Sequence, residues 1–107
     1  MKILWTIETE PEDTPVRGNA MASGDPEFDR EVEDSIINQL RRGNEWAWCT
    51  VKVTGFYLGL SASEYLGCCS YRDEEEFAGG AYYADMQNEI TDRIHEQVNR
   101  IIKEGAL

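Results

Sequence analysis

Nucleophilic or acid–base chemistry in this chain would have to come from one histidine, three cysteines and 21 carboxylates. His95 lies between Asp92 and Glu96 on what reads as the polar side of the last helix, the position of a solvated surface residue. Cys49, Cys68 and Cys69 are odd in number and two are adjacent, so they are neither a disulfide framework nor a CxxC-type zinc site. Reduced thiols are expected. Pairing Cys69 with His95 would require the outer face of a hairpin to meet the last helix. Gly79-Gly80 joins two helical pieces and follows no strand, so it reads as a spacer rather than a phosphate loop. The run Asp73-Glu74-Glu75-Glu76 lacks the spaced oxygens and central glycine of a calcium loop. The expectation is a protein that is not an enzyme and holds no metal or cofactor.

The carboxylates are better read as charge. There are 21 acids against 10 bases, a formal net charge of −11. Binding to nucleic acid or to an anionic membrane surface is disfavoured, because both depend on Lys and Arg meeting phosphate. Basic protein surfaces are the natural partners, and solubility alone is the alternative use of such a charge. The stretch DPEFDREVED (25–34) holds six acids in ten residues. Acids in a first helical turn complement the positive helix end, which accounts for Glu27. Glu31, Glu33 and Asp34 lie beyond that turn, and the i,i+4 pair Glu27–Glu31 works mildly against the helix. These acids, with Asp29 and with Glu74, Glu75 and Glu76, are candidate partner contacts. Asp85, Glu89, Asp92 and Glu96 extend the second cluster along the last helix.

The elements that must carry these groups can be read from period and punctuation. Apolar residues make up 41% of 107 residues, enough to fold as one domain over 1–107 without staples. Residues 3–9 read as a strand and 10–24, with two prolines and two glycines, as a surface loop. Asp25-Pro26 is a capped helix start. Phe28, Val32, Ile36 or Ile37 and Leu40 keep helical spacing until Arg41, Arg42 and Gly43 end the helix. Residues 45–57 read as a long strand, 58–63 as a loop and 64–71 as the returning strand of a hairpin. Asp73 and Glu76 have capping-box spacing for one helical turn. Tyr83, Met86, Ile90, Ile94, Val98 and Ile101 mark an amphipathic helix over 81–104, with Glu89–Arg93 and Glu96–Arg100 as i,i+4 ion pairs. The fold expected is α+β: a small, largely antiparallel three-stranded sheet with two helices on one face, in the order β-α-β-β-α. No segment reads as a signal-peptide core, and no apolar run approaches the roughly 20 residues of a membrane span.

Strict alternation along 45–57 places Ala47, Cys49, Val51 and Val53 inward and Trp46, Trp48, Thr50, Lys52 and Thr54 outward. On the partner strand Leu66 and Cys68 point in, and Tyr65, Cys69 and Tyr71 point out. An outer face bearing Trp46, Trp48, Tyr65 and Tyr71 has to be covered by the 10–24 loop, by a second copy, or by a partner.

The segments NEWAWCTVKVTG, YLGCCSYRDEEEF and AYYADMQNEI, within residues 25–94, resemble small acidic proteins encoded by tailed phages and prophages. That group has no activity to carry over to individual residues. The resemblance implies a setting in the host cytoplasm and the class of inhibitors of host restriction or CRISPR systems, some of which mimic DNA. The functional expectation is a non-enzymatic acidic protein that occupies the surface of a basic, nucleic-acid-binding host protein. The alternative is a structural or assembly protein that homodimerises through the aromatic face.

Overall fold

The computed structural model describes residues 1–105. Strands β1 (Leu4–Pro11), β2 (Cys49–Tyr57) and β3 (Leu60–Cys69) form an antiparallel sheet in the order β1-β2-β3. Helix α1 (Pro26–Arg41) separates β1 from β2, and α2 (Glu74–Ala78) and α3 (Ala81–Lys103) follow β3. This is the expected α+β class and element order.

Period-2 and period-3.6 patterns meet where α3 lies on the sheet. Met86, Ile90 and Ile94 of α3 are buried against Val51 and Val53 of β2, with Trp5, Ile7 and Leu66 packed around them. Val51, Val53, Ile90 and Ile94 are wholly buried, a contribution of roughly 1.5–3 kcal/mol each. Gly55 lets the helix come this close: a Cβ there would lie 2.8 Å from the Ile90 Cγ2. The β2–β3 connection is a two-residue turn, Leu58-Gly59, with φ of 48° and 80°. Positive φ at both positions suits the right-handed twist of the strands. A leucine is an unusual occupant of that conformation, which is why 58–63 reads as a longer loop.

Two local departures overturn the expected outer aromatic face. Residues Glu45–Ala47 form a single 3-10 turn capped by the Asn44 side chain, and β2 begins only at Cys49. Strand alternation therefore does not extend back to the tryptophans. Trp46 packs on Phe77 at 5.7 Å between ring centroids, and Phe77 also meets Tyr71 and Tyr83. Trp48 is buried with Val16, Ile36 and Ala47, and its indole N–H donates to the Thr14 carbonyl oxygen. Farther along, the pairing slips between Cys49 and Val51, with Cys49 opposite Cys69 and Val51 opposite Leu66. This β-bulge inserts one residue, Cys68 takes a φ of 54°, and the inward cysteine is Cys69 rather than Cys68.

The helices divide between two packing centres. α3 covers the sheet, whereas α1 packs on the 3-10 turn and on the loop that carries Val16 and Ala20. Asp25 caps α1 by accepting from the N–H groups of Glu27 and Phe28, and Gly43 turns the chain out with a φ of 91°. Phe28, expected on the apolar stripe, is exposed at the start of the helix. The radius of gyration is 17.8 Å, against about 13 Å for a compact chain of this size.

Candidate partner-binding surface

The expected contact residues fall into three groups once their partners are known. The first is spent inside the protein. Trp46, Trp48 and Tyr71 are packed as described, and Tyr71 donates its backbone N–H to the Trp46 carbonyl. Glu33 is 8% exposed and accepts from the Arg17 guanidinium at 3.1 Å and the Gly18 N–H at 2.9 Å. Asp34 takes the other arm of Arg17. These two acids hold the 12–20 loop against α1, so their place beyond the first turn has a structural cause. Arg17 is the only base between Lys2 and Arg30. That isolation is the signal that could have identified it as their partner.

The second group, half-buried Asp29 with exposed Glu76 and Tyr65, is engaged locally. Asp29 accepts from the Ser23 hydroxyl at 2.6 Å and the Ser23 N–H at 3.1 Å. Glu76 accepts from the Arg72 Nε at 2.9 Å and from its N–H, while Asp73 caps the Glu76 N–H. Tyr65 stands on the outer sheet face, with the Lys52 Nζ 5.6 Å from its ring centre.

The third group has no side-chain hydrogen bond or ion pair among the described residues: Glu27 and Glu31 on α1, Glu74 and Glu75 on α2, and Asp85, Glu89, Asp92 and Glu96 on α3. All are exposed. The last four form a stripe spanning about 17 Å of helix axis, at 1.5 Å per residue. The expected neutralising pairs are not made among the described residues. Arg93 turns inward instead, and its Nη2 donates to the Ser63 carbonyl and to Glu64 Oε1, both at 2.7 Å. Gln97 likewise donates to the Ser61 carbonyl at 3.0 Å. Both caps serve the outer edge of β3, and they leave Glu89 without its cation.

One acid missed by sequence reading is Glu12, which stitches the bulge. Its Oε1 accepts from the Cys68 N–H at 2.6 Å and the Thr50 hydroxyl at 2.9 Å, and its Oε2 from the Thr14 N–H at 3.1 Å. Those donors, the Cys68 N–H foremost, lower its pKa from 4.5 to about 2.

The remaining chemistry-bearing side chains are the one histidine and the three cysteines. His95 is exposed on α3. Burial pushes the Cys49 thiol up to about 12 and the Cys69 thiol to about 11, far from the thiolate form at neutral pH. Among the described residues no cluster of three or more His, Cys, Asp or Glu is placed to hold a metal. Among the described residues no helix is long and apolar enough to cross a membrane. The chain matches no family model, no curated protein and no solved structure.

Proposed function

We propose that the protein is a non-enzymatic binding protein that lays its carboxylates on the basic, nucleic-acid-binding surface of another protein. It would act as a DNA-mimic-like inhibitor of the anti-CRISPR or anti-restriction class. The observation that carries the reading is the outward face of α3. Four carboxylates succeed one another there with no cation among them, because Arg93 is committed to β3. Their mean spacing, between 5 and 6 Å along the axis by the helical rise of about 1.5 Å, is of the order of the charge repeat of a nucleic-acid strand, about 3.4 Å. Glu27, Glu31, Glu74 and Glu75 add further unpaired charge. The segmental resemblance to small acidic phage-encoded proteins points the same way. Such a surface speeds encounter with a basic partner and makes binding salt-sensitive.

The test is affinity capture from bacterial lysate, using the tagged protein beside the variant Asp85→Asn, Glu89→Gln, Asp92→Asn, Glu96→Gln. The expected result is a nucleic-acid-binding protein that elutes with rising salt, is displaced by DNA or RNA, and is not retained by the variant. Capture of the same proteins by both baits, or of none, sinks the reading. The alternative, dimerisation through an aromatic sheet face, loses its footing because Trp46, Trp48 and Tyr71 do not stand on that face.

A further inference from the structure

The two edges of the sheet are treated differently. On β3 the Ser61 and Ser63 carbonyls are capped by Gln97 and Arg93. On β1, eight residues pair with β2 on one side only, and no side chain bonds their backbone among the described residues. A free edge about 26 Å long, at roughly 3.3 Å per residue, is a template for another strand. Glu8 and Glu10 project from this strand, and both are exposed. Opposite charges across a strand pair favour pairing and like charges oppose it. The edge therefore discriminates against acidic strands and for basic ones.

At its C-terminal end β1 opens into a groove of about 290 Å³ whose lining includes Glu10, Pro11, Leu40, Gly43, Glu45 and Trp48. Trp48 and Leu40 are among its apolar lining residues, and the two charged lining residues are both carboxylates. Arg41 and Arg42 leave the nearby helix end without lining it. An apolar trough with carboxylates beside it matches one kind of side chain: a long aliphatic stem ending in a cation.

We propose that the β1 edge and this groove together receive an extended basic segment of the partner as a fourth strand, with one Arg or Lys side chain seated between Leu40, Trp48, Glu10 and Glu45. The inference rests on the reading that the partner is basic, and it names the mode of contact: main-chain pairing supplies a register that loose charge attraction on α3 lacks.

The probe is a ten-residue peptide alternating threonine and arginine, titrated into the isotope-labelled full chain and followed by amide shifts and amide exchange. The expected shifts map to residues 4–11, Leu40, Gly43 and the Trp48 indole, with slowed exchange along β1. The same peptide N-methylated at alternate residues loses that protection. Glu10→Gln with Glu45→Gln weakens binding about fivefold, the scale of exposed charge pairs. Both residues are exposed, so the variant keeps the fold. Shifts confined to Asp85–Glu96 would overturn this inference while leaving the acidic-inhibitor reading standing. Protection of β1 that grows with protein concentration alone would overturn it in favour of a second copy. Absence of binding would overturn it outright, and the lysate capture would then decide the broader reading separately.

Discussion

Replacing Gly55 by alanine tests how closely α3 lies on the sheet. The added Cβ would stand 2.8 Å from the Ile90 Cγ2, 2.9 Å from the Ile3 Cγ2 and 3.0 Å from the Trp5 Cζ3. Each contact has to open by roughly 0.5–0.7 Å to reach the short end of the 3.5–4.0 Å carbon–carbon optimum. Ile90 is wholly buried, and its Cγ2 is one bond from its own Cβ, so the side chain has no room to swing away. The helix must lift instead. Overpacking of this kind costs about 1–3 kcal/mol, and the stiffer unfolded chain returns about 0.4–1 kcal/mol. The net expectation is a loss of about 1–2 kcal/mol, or roughly 5–10 °C in Tm, read by thermal and urea unfolding. Ile90→Ala alone should cost about 2–5 kcal/mol. Combined with Gly55→Ala it should cost less than the sum by about 1 kcal/mol, because the new methyl fills part of the vacated space. A neutral or stabilising Gly55→Ala, or additivity in the double variant, would refute the close approach.

Two further outcomes follow from Glu12 and the cysteines. The Glu12 carboxylate has a folded-state pKa of about 2 against 4.5 in its ordinary state, so its contribution is fully present above pH 4.5 and is lost as pH falls toward 2. Glu12→Gln should therefore lower stability at neutral pH and flatten the acid limb of the stability–pH curve between those values; an unchanged curve would contradict the bulge clamp. With native protein at neutral pH, iodoacetamide should label Cys68, which is exposed, and spare Cys49 and Cys69, which are buried. All three should react after denaturation, and mass spectrometry of the labelled peptides checks both states.

The long periods in this sequence were legible because they are repeated. The α3 stripe, the Asp25 cap and the Gly43 exit each follow from residue type and spacing, and each forms as expected. Single insertions were not legible. One 3-10 turn at 45–47 and one extra residue at Cys68 reverse which side chains face the core, because side-chain direction along a strand has a period of two. Nothing in the local composition marks either place. The acids were misread for a different reason. Sequence spacing pairs Glu89 with Arg93, but the Ser63 carbonyl on the β3 edge has no other side-chain donor among the described residues, and the arginine goes to it and to Glu64. Glu33 and Asp34 looked like surplus charge because Arg17 lies 16 and 17 residues away in the chain. What remains of the candidate surface is the set of acids for which no internal cation competes.

The chain crosses between its two cores within four residues: Trp46 and Cys49 belong with the sheet, Ala47 and Trp48 with α1. Among the described residues the α1 core has Val16, Ile36, Ala47 and Trp48 as its buried apolar members. It is the smaller of the two buried clusters, and a local opening confined to it would leave the sheet core intact. The expectation is that α1 opens first, with its amides exchanging before those of β2. A ligand held between Pro11 and Leu40 would touch both units at once. Occupying that groove would tie the two clusters together, and the rigidity of α1 would become a report of whether the site is filled.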